Sequence, residues 1–427
     1  MNSHPMIDDT RRGRASNRAR PSGTLWFLLV LASGRVAGQQ SGPVRVHGGI
    51  QAIALGTLVD PAISGESRRE AYLTQSFLLG RASAFGGRVA GSAAINLEGL
   101  TMPGGELVPG NAGEGYVDRR HPHTYLHEAV ISLTLPAGGT ALSLTAGRGF
   151  APFGTDDPMV RPFVKYPANH HLSQILERWI VVVGARAGPF TLEGGVFNGD
   201  EPTGPRSLGL LDRFTDSWSV RATLRPANGL EAQASWANVR SPEFAEGFGL
   251  DQRKASASVR YARRLRGLPL YALLEWAETN EYTGDRRVYV FNTLLAEASI
   301  RSGDWMTALR LERTTRPEEE RLLDPFRSAR PHNDENIVGA TRWSTVTLRA
   351  GRAFPVRYVT LEPFVEVARS RIAEVTGAVF DPEAFYGSDS PWTASLGLRL
   401  NIGMRHERMG KYGVARDESA MSGRMDH

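Results

Sequence analysis

Residues 151–171, APFGTDDPMVRPFVKYPANHH, bring acidic, basic and imidazole side chains together in one short stretch. Carboxylates that face cationic groups across a narrow, low-dielectric passage create a transverse field, and such a field sets ion preference. On an exposed external loop the same groups are ordinary solvated charges. The sequence leaves both interpretations open. The titratable residues concerned are Asp156, Asp157, Arg161, Lys165, His170 and His171.

The adjacent residues His170 and His171 raise the question of a metal site, with Asp156 and Asp157 as oxygen ligands. Adjacent side chains on an extended chain point to opposite sides, so two neighbouring histidines rarely bind one ion. We therefore predict no metal site. The sequence also lacks the nucleophile elbow, phosphate-binding loop and dinucleotide fingerprint of common enzymes, so we predict neither enzymatic activity nor a cofactor.

The elements that position these groups are predicted from strict alternation of apolar and polar residues. In SWSVRATLRPANGLEAQASW (217–236), one face carries Trp218, Val220 and Leu224, and the other carries Arg221 and Arg225. Such a period of two predicts strands, and the Asn-Gly pair between the two halves predicts a hairpin turn. The apolar face must contact either a protein core or lipid.

The same alternation recurs about sixteen times between residues 44 and 404. Short turns alternate with longer polar connections, among them 99–122, 150–173 and 280–286. Outer-membrane barrels place short turns on the periplasmic side and long loops outside. We therefore predict an all-β fold, a single transmembrane antiparallel up-and-down β-barrel of about sixteen strands.

The tryptophans test whether the apolar face meets lipid. Trp179, Trp218, Trp236 and Trp276 each lie seven to nine residues from a short turn, which is roughly 23–30 Å along a strand. Barrels of this kind have an apolar band about 25 Å tall, with aromatic girdles at both edges. Trp305 lies beside a short turn, where the opposite girdle is expected.

Composition narrows the class of protein further. The chain has 427 residues and no cysteine, which excludes disulfides and thiol chemistry. Residues 1–38 contain a basic stretch, then the apolar run TLWFLLVLASG, and then small residues. This order is typical of a signal peptide. The six arginines and two aspartates of this segment account for most of the net charge of +5, so we predict no nucleic-acid partner.

Three segments between residues 147 and 201 resemble the phosphate-selective porin O/P-like outer-membrane proteins. They are GRGFAPFG (147–154), ILERWIVVVGAR (175–186) and GGVFNGDE (194–201). The resemblance implies a sixteen-stranded, trimeric porin whose third long loop, here 150–173, folds inward as the constriction.

The chain departs from this family at two places. The family's anion preference depends on clusters of lysines, whereas this chain has only Lys165, Lys254 and Lys411, so we do not carry phosphate selectivity over. Barrel assembly signals usually end on an aromatic residue, but here a polar tail follows Met404. Tyr412 is the candidate for the end of an extended last strand.

The polar face of the strands supplies the predicted pore lining. These charges either line the ion path or pair across neighbouring strands and stiffen the wall. The residues are Arg221, Arg225, Arg260, Arg310, Arg399, Glu128, Glu231 and Glu312.

We therefore predict a signal peptide (1–38), a barrel (39–412) and a polar C-terminal tail (413–427). The predicted function is that of a porin in the bacterial outer membrane, passing small hydrophilic solutes or ions by diffusion. Its partners would be outer-membrane lipid and, from the resemblance, two further copies in a homotrimer. The alternatives are a non-channel barrel that acts as a ligand or metal receptor or adhesin, and a secreted soluble all-β protein.

Overall fold

The computed structural model describes residues 44–60, 67–102, 105–107, 123–202, 204–319, 337–376, 381, 383–384, 387–405 and 408–416. Among them, no helix has the length and apolar character needed to cross a membrane. The regular elements are almost all strands. They are β1 (Val44–Asp60), β2 (Arg68–Ala84), β3 (Val89–Asn96), β4 (Leu126–Ala137), β5 (Thr140–Gly149), α1 (His170–Ser173), β6 (Arg178–Ala187), β7 (Phe190–Phe197), β8 (Ser217–Ala227), β9 (Leu230–Val239), β10 (Asp251–Leu265), β11 (Leu268–Thr283), β12 (Arg286–Ser302), β13 (Trp305–Glu319), β14 (Ile337–Arg352), β15 (Phe354–Val356), β16 (Val359–Thr376) and β17 (Trp392–Gly403).

The strands form one closed antiparallel sheet. Each strand pairs with its neighbours along the chain, and β1 pairs with both β2 and β17, which closes the barrel. The three-residue β15 only extends the turn between β14 and β16, which pair directly with each other. Sixteen long strands therefore make the wall, and the predicted up-and-down barrel is confirmed.

Apolar side chains cover the outside of the barrel, and charged side chains lie inside it. In β8, Trp218 is 43% exposed and Arg221 only 1% exposed, as the alternation of the sequence predicts. In β17, Leu396 and Leu398 are exposed and Ser395 is buried. This distribution is the reverse of that in a soluble protein, where large apolar patches are covered.

The strand registers bring the outward tryptophans to a common level. Trp236 on β9 pairs with Val220, two residues from Trp218, and with Ala255 on β10. Trp276 on β11 pairs with Ala257, again two residues away. The aromatic rings therefore form a band across neighbouring strands, as an interfacial girdle does.

Two predicted boundaries differ from the observed ones. The stretch 280–286 was expected to be a long loop, but β11 and β12 stay paired up to Thr283 and Arg286, which leaves a two-residue turn. The last strand ends at Gly403 instead of Tyr412. The chain turns inward after β17, and Tyr412 lies buried away from the wall ladder.

Candidate functional site in the barrel lumen

The connection between β5 and β6, residues 150–177 and called here the inward loop, is mostly buried. Of its predicted site residues, His171 is partly exposed and the other five are buried. Its polar groups bond to inward side chains of β9, β11, β13 and β16. Because β13 lies opposite β5 in the closed sheet, the loop reaches across the barrel.

Glu275 on β11 holds the two halves of the inward loop together. Its carboxylate accepts hydrogen bonds from Arg161 Nη2 at 3.0 Å, from Asn169 Nδ2 at 2.7 Å and from the Thr155 hydroxyl. Arg161 also lies 3.9 Å from Glu297 on β12. Both charges of the Arg161–Glu275 pair are almost completely buried, so each depends on the other for compensation.

The far end of the loop is held mainly through its backbone. The backbone N–H groups of Val164 and Lys165 donate to the two oxygens of Glu366 on β16, at 2.9 and 3.0 Å. The N–H of Ala168 donates to Glu312 at 2.8 Å. Carboxylates that accept hydrogen bonds from backbone N–H groups fix the path of the loop, and these bonds also stabilise the carboxylate charge.

The ammonium group of Lys165 is fully engaged. Its Nζ lies 3.1 Å from Glu106 Oε1, donates to the carbonyl of Leu107 at 2.8 Å and contacts the Tyr72 hydroxyl. Lys165 is therefore a structural anchor of the loop, with its charge compensated.

The near end of the loop turns at Gly154. This residue has a φ of +66°, and a Cβ atom there would lie 1.7 Å from the carbonyl oxygen of Ser173. The N–H of Gly154 donates to the Ser235 hydroxyl at 3.0 Å, and its carbonyl accepts from Arg221 at 3.2 Å. Only glycine permits this backbone conformation together with so close an approach.

A buried histidine cluster lies where the loop meets β4. The rings of His123 and His127 are 5.0 Å apart, and that of His170 is 5.6 Å from His123. His123 Nδ1 lies 2.9 Å from Glu98, and His127 Nδ1 lies 2.8 Å from Glu177. In the part of the chain that the structure describes, no three or more His, Cys, Asp or Glu side chains are arranged to hold a metal ion.

The environment of this cluster determines the charge of Glu177. Burial by itself raises the pKa of Glu177, but the hydrogen bond from His127 and the charges of His123, His127 and Arg148 outweigh it and hold the pKa at about 2. A carboxylate at this position stays ionised at neutral pH. It also accepts from the backbone and hydroxyl of Thr124 at 2.9 Å.

The adjacent aspartates of the loop are in opposite electrostatic environments. Burial raises the pKa of Asp157 despite nearby His123 and His127. Burial also acts on Asp156, but the guanidinium groups of Arg408 and Arg260 outweigh it and lower the pKa of Asp156. Cationic neighbours therefore favour the ionised form of Asp156, whereas burial disfavours that of Asp157.

A cavity of about 220 Å³ separates the inward loop from the wall formed by β10, β11, β13 and β17. Three guanidinium groups line it, those of Arg161, Arg260 and Arg399, against the single carboxylate of Asp156. Asp156 lies 3.5 Å from Arg260. Nε and Nη2 of Arg399 are buried and form no hydrogen bond with the described residues.

All eight predicted pore-lining residues lie on the inner face, but the structure separates them into two groups. Most are paired within the wall: Arg221 lies 2.7 Å from Glu193, and Arg310 lies 2.9 Å from Glu312. Arg225 and Glu231 lie 3.0 Å apart, and Glu128 accepts from Ser92 and Tyr412. Only Arg260 and Arg399 of this set line the cavity.

Sequence reasoning missed Glu177 within the loop and the groups that hold the loop from elsewhere in the chain. Glu177 lies in the Glu-Arg segment that carries the family resemblance, which was the one available signal for it. His123 and His127 stand in no recognisable motif. The predicted barrel (39–412) included Arg408 without giving it a role. In the structure, Arg408 donates to Asp156 at 2.6 Å.

Comparison with known proteins supports the architecture. No family model and no curated protein matches the sequence. Among solved structures, the fold is similar to that of an anion-selective porin from Comamonas acidovorans, with a TM-score of 0.50 and 12% identity, over 84% of this chain and 100% of that one. It is also similar to a loop L8 deletion mutant of OmpT, an outer membrane protein of Vibrio cholerae, with a TM-score of 0.50 and 8% identity, over 84% and 100% of the two chains. At these identities the likeness concerns the fold alone, and the chain has the closed β-barrel fold that outer-membrane porins adopt.

Proposed function

We propose that the chain is a porin of the bacterial outer membrane that passes small hydrophilic solutes by diffusion and prefers anions. The observation that carries the proposal is the cavity beside the inward loop, with three guanidinium groups and one carboxylate. That carboxylate, Asp156, is already shared between Arg260 and Arg408. Arg161 is compensated by Glu275, so the excess positive charge along this path comes from Arg260 and Arg399, and rings of arginine favour anions in pores.

The outer surface supports a membrane location. Exposed leucine, valine and tryptophan side chains cover the strands on every side of the barrel, including β5, β8, β12 and β17. An apolar surface of this extent is costly in water and favourable in hydrocarbon.

Each luminal group has a separate role in the proposed passage. The inward loop narrows the lumen, and its pairing with Glu275 keeps it from moving into the path. Arg399, which lines the cavity, offers an incoming anion a guanidinium charge that replaces part of its hydration shell. Asp156 limits how tightly the anion binds, so that the anion leaves again.

The experiment that tests this function is a reversal-potential measurement in a salt gradient across planar bilayers. We expect stable open steps and an anion-selective potential, shifted towards zero by Arg399→Gln and towards anions by Asp156→Asn. Asp157→Asn is expected to shift it less, because Asp157 does not line the cavity. Arg263→Gln, which removes the same charge from an exposed position on the outward face of β10, is the control.

One observation supports the alternative of a non-channel barrel: the inward loop occupies part of the lumen, where solutes would have to pass. The absence of any open steps would favour a receptor or adhesin. Open steps whose reversal potential changes with neither Arg399→Gln nor Asp156→Asn would support the porin function but refute the proposed ion path.

A further inference from the structure

Residues Arg408–Arg416, called here the C-terminal segment, follow the last strand and lie inside the barrel. Met409, Val414 and Ala415 are buried, although the sequence predicted a polar tail for the end of this region. The inner faces of β4, β5, β8 and β9 contact the segment. It therefore lies along β4–β9, and its first residue, Arg408, contacts Asp156 at the arginine-lined cavity.

The wall binds the backbone of the segment at successive points. Arg221 Nη2 donates to the carbonyl of Gly410 at 2.7 Å, and Arg225 Nη2 donates to the carbonyl of Ala415 at 2.9 Å. The N–H of Val414 donates to the Ser143 hydroxyl at 3.1 Å. Main-chain groups held one by one are characteristic of a bound peptide.

The segment also joins the inward loop. The Tyr412 hydroxyl donates to Glu128 at 3.0 Å and accepts from the backbone N–H of Phe150, where the loop begins. Arg408 then reaches Asp156 within the loop. The segment and the loop thus form one continuous packed layer across the lumen.

Arg408 covers two acidic groups of the pore, and Lys411 binds a neutral amide beside them. Arg408 donates to Asp156 at 2.6 Å and to Glu231 at 2.8 Å. Lys411 donates to Gln233 at 2.9 Å, and burial together with the charge of Arg221 lowers the pKa of Lys411 to about 7. Without the segment, Asp156 and Glu231 would face water with fewer positive charges beside them.

We propose that the C-terminal segment is a built-in part of the ion filter, which narrows the lumen along β4–β9 and keeps the pore anion-preferring by covering Asp156 and Glu231. The proposal rests on the porin function proposed above. It adds a specificity determinant, Arg408, that comes from outside the barrel wall and the inward loop.

The test uses Arg408→Glu in the full chain and, as a second variant, deletion of residues 406–427. Arg408→Glu places a third carboxylate against Asp156 and Glu231, so the segment is expected to leave its position. Both variants should show higher single-channel conductance than the wild type and a reversal potential shifted towards cations. Arg263→Glu, the same charge reversal at an exposed position on the outward face near the end of β10, should change neither.

Docking is followed separately with Ser143→Cys in the otherwise cysteine-free chain. The thiol should react slowly in the full chain and quickly after the deletion, because Ser143 is buried beneath Val414. Equal labelling rates in the two chains would overturn the proposal, as would equal conductance and equal potential. A barrel that conducts in neither form would instead contradict the porin function itself.

Discussion

Substitution of Glu275 tests whether the inward loop depends on one buried carboxylate. Thr155, Arg161 and Asn169 all donate to it. When its charge is removed, Glu297 at 3.9 Å is the only carboxylate among the described residues that remains within 4 Å of Arg161. Removal of one partner of a buried ion pair costs about 3–5 kcal/mol. Because Glu275→Gln keeps one acceptor oxygen, we expect the lower end, about 3 kcal/mol, which corresponds to a roughly hundredfold larger undocked population of the loop.

The assay for this prediction is thiol labelling of Ser173→Cys, a nearly isosteric change at a buried position of the loop. In the Glu275→Gln background, the labelling rate should rise about a hundredfold, in proportion to the undocked population. Glu374→Gln removes a carboxylate from an exposed position of β16 and should leave the rate unchanged. Equal rates with and without Glu275→Gln would refute the clamp, and so would an equal rise in the control.

Two further predictions concern acid stability and the lipid-facing surface. Glu177 has a pKa of about 2 in the barrel, below its ordinary value, so its contribution is complete above about pH 4.5 and is lost as the pH falls towards 2. In urea titrations, Glu177→Gln should therefore destabilise the barrel at pH 7 by on the order of 3 kcal/mol, and the difference should shrink between pH 4.5 and 2. Leu398→Arg, on the outward face at the middle of β17, should cost about 2–4 kcal/mol in lipid bilayers, and a neutral effect would contradict burial of this face in hydrocarbon.

The barrel could be predicted from sequence because its wall is a local pattern. Whether Arg221 faces inward depends only on its position relative to Val220 and Ala222, and the strand pairing follows from the chain order of hairpins. The prediction was wrong at 280–286, because a polar composition suits an extended hairpin above the membrane as well as a loop. Alternation sets the face of a residue but not the end of a strand.

The luminal site could be predicted only in part, because its contacts join residues far apart in sequence. The inward loop was found through its charges and through resemblance, yet its partners Glu275 and Glu366 follow it by more than one hundred residues. These two carboxylates had the same pattern as every other inward acid. Nothing local distinguishes an acid that clamps a loop from an acid that pairs within the wall.

The net charge of the chain is equally uninformative about ion preference. Inside the barrel, nearly every charge described has an opposite partner, as Arg221 has Glu193 and Arg349 has Glu362. Paired charges contribute little to the field that a passing ion meets, because the two opposite charges of a pair lie close together and their fields largely cancel. Under the proposed function, selectivity then depends on the few charges that line the cavity, those of Arg260 and Arg399, and on whatever compensates Asp156. A single basic residue far along the chain can therefore change the ion preference of a pore more than the whole charge of its wall.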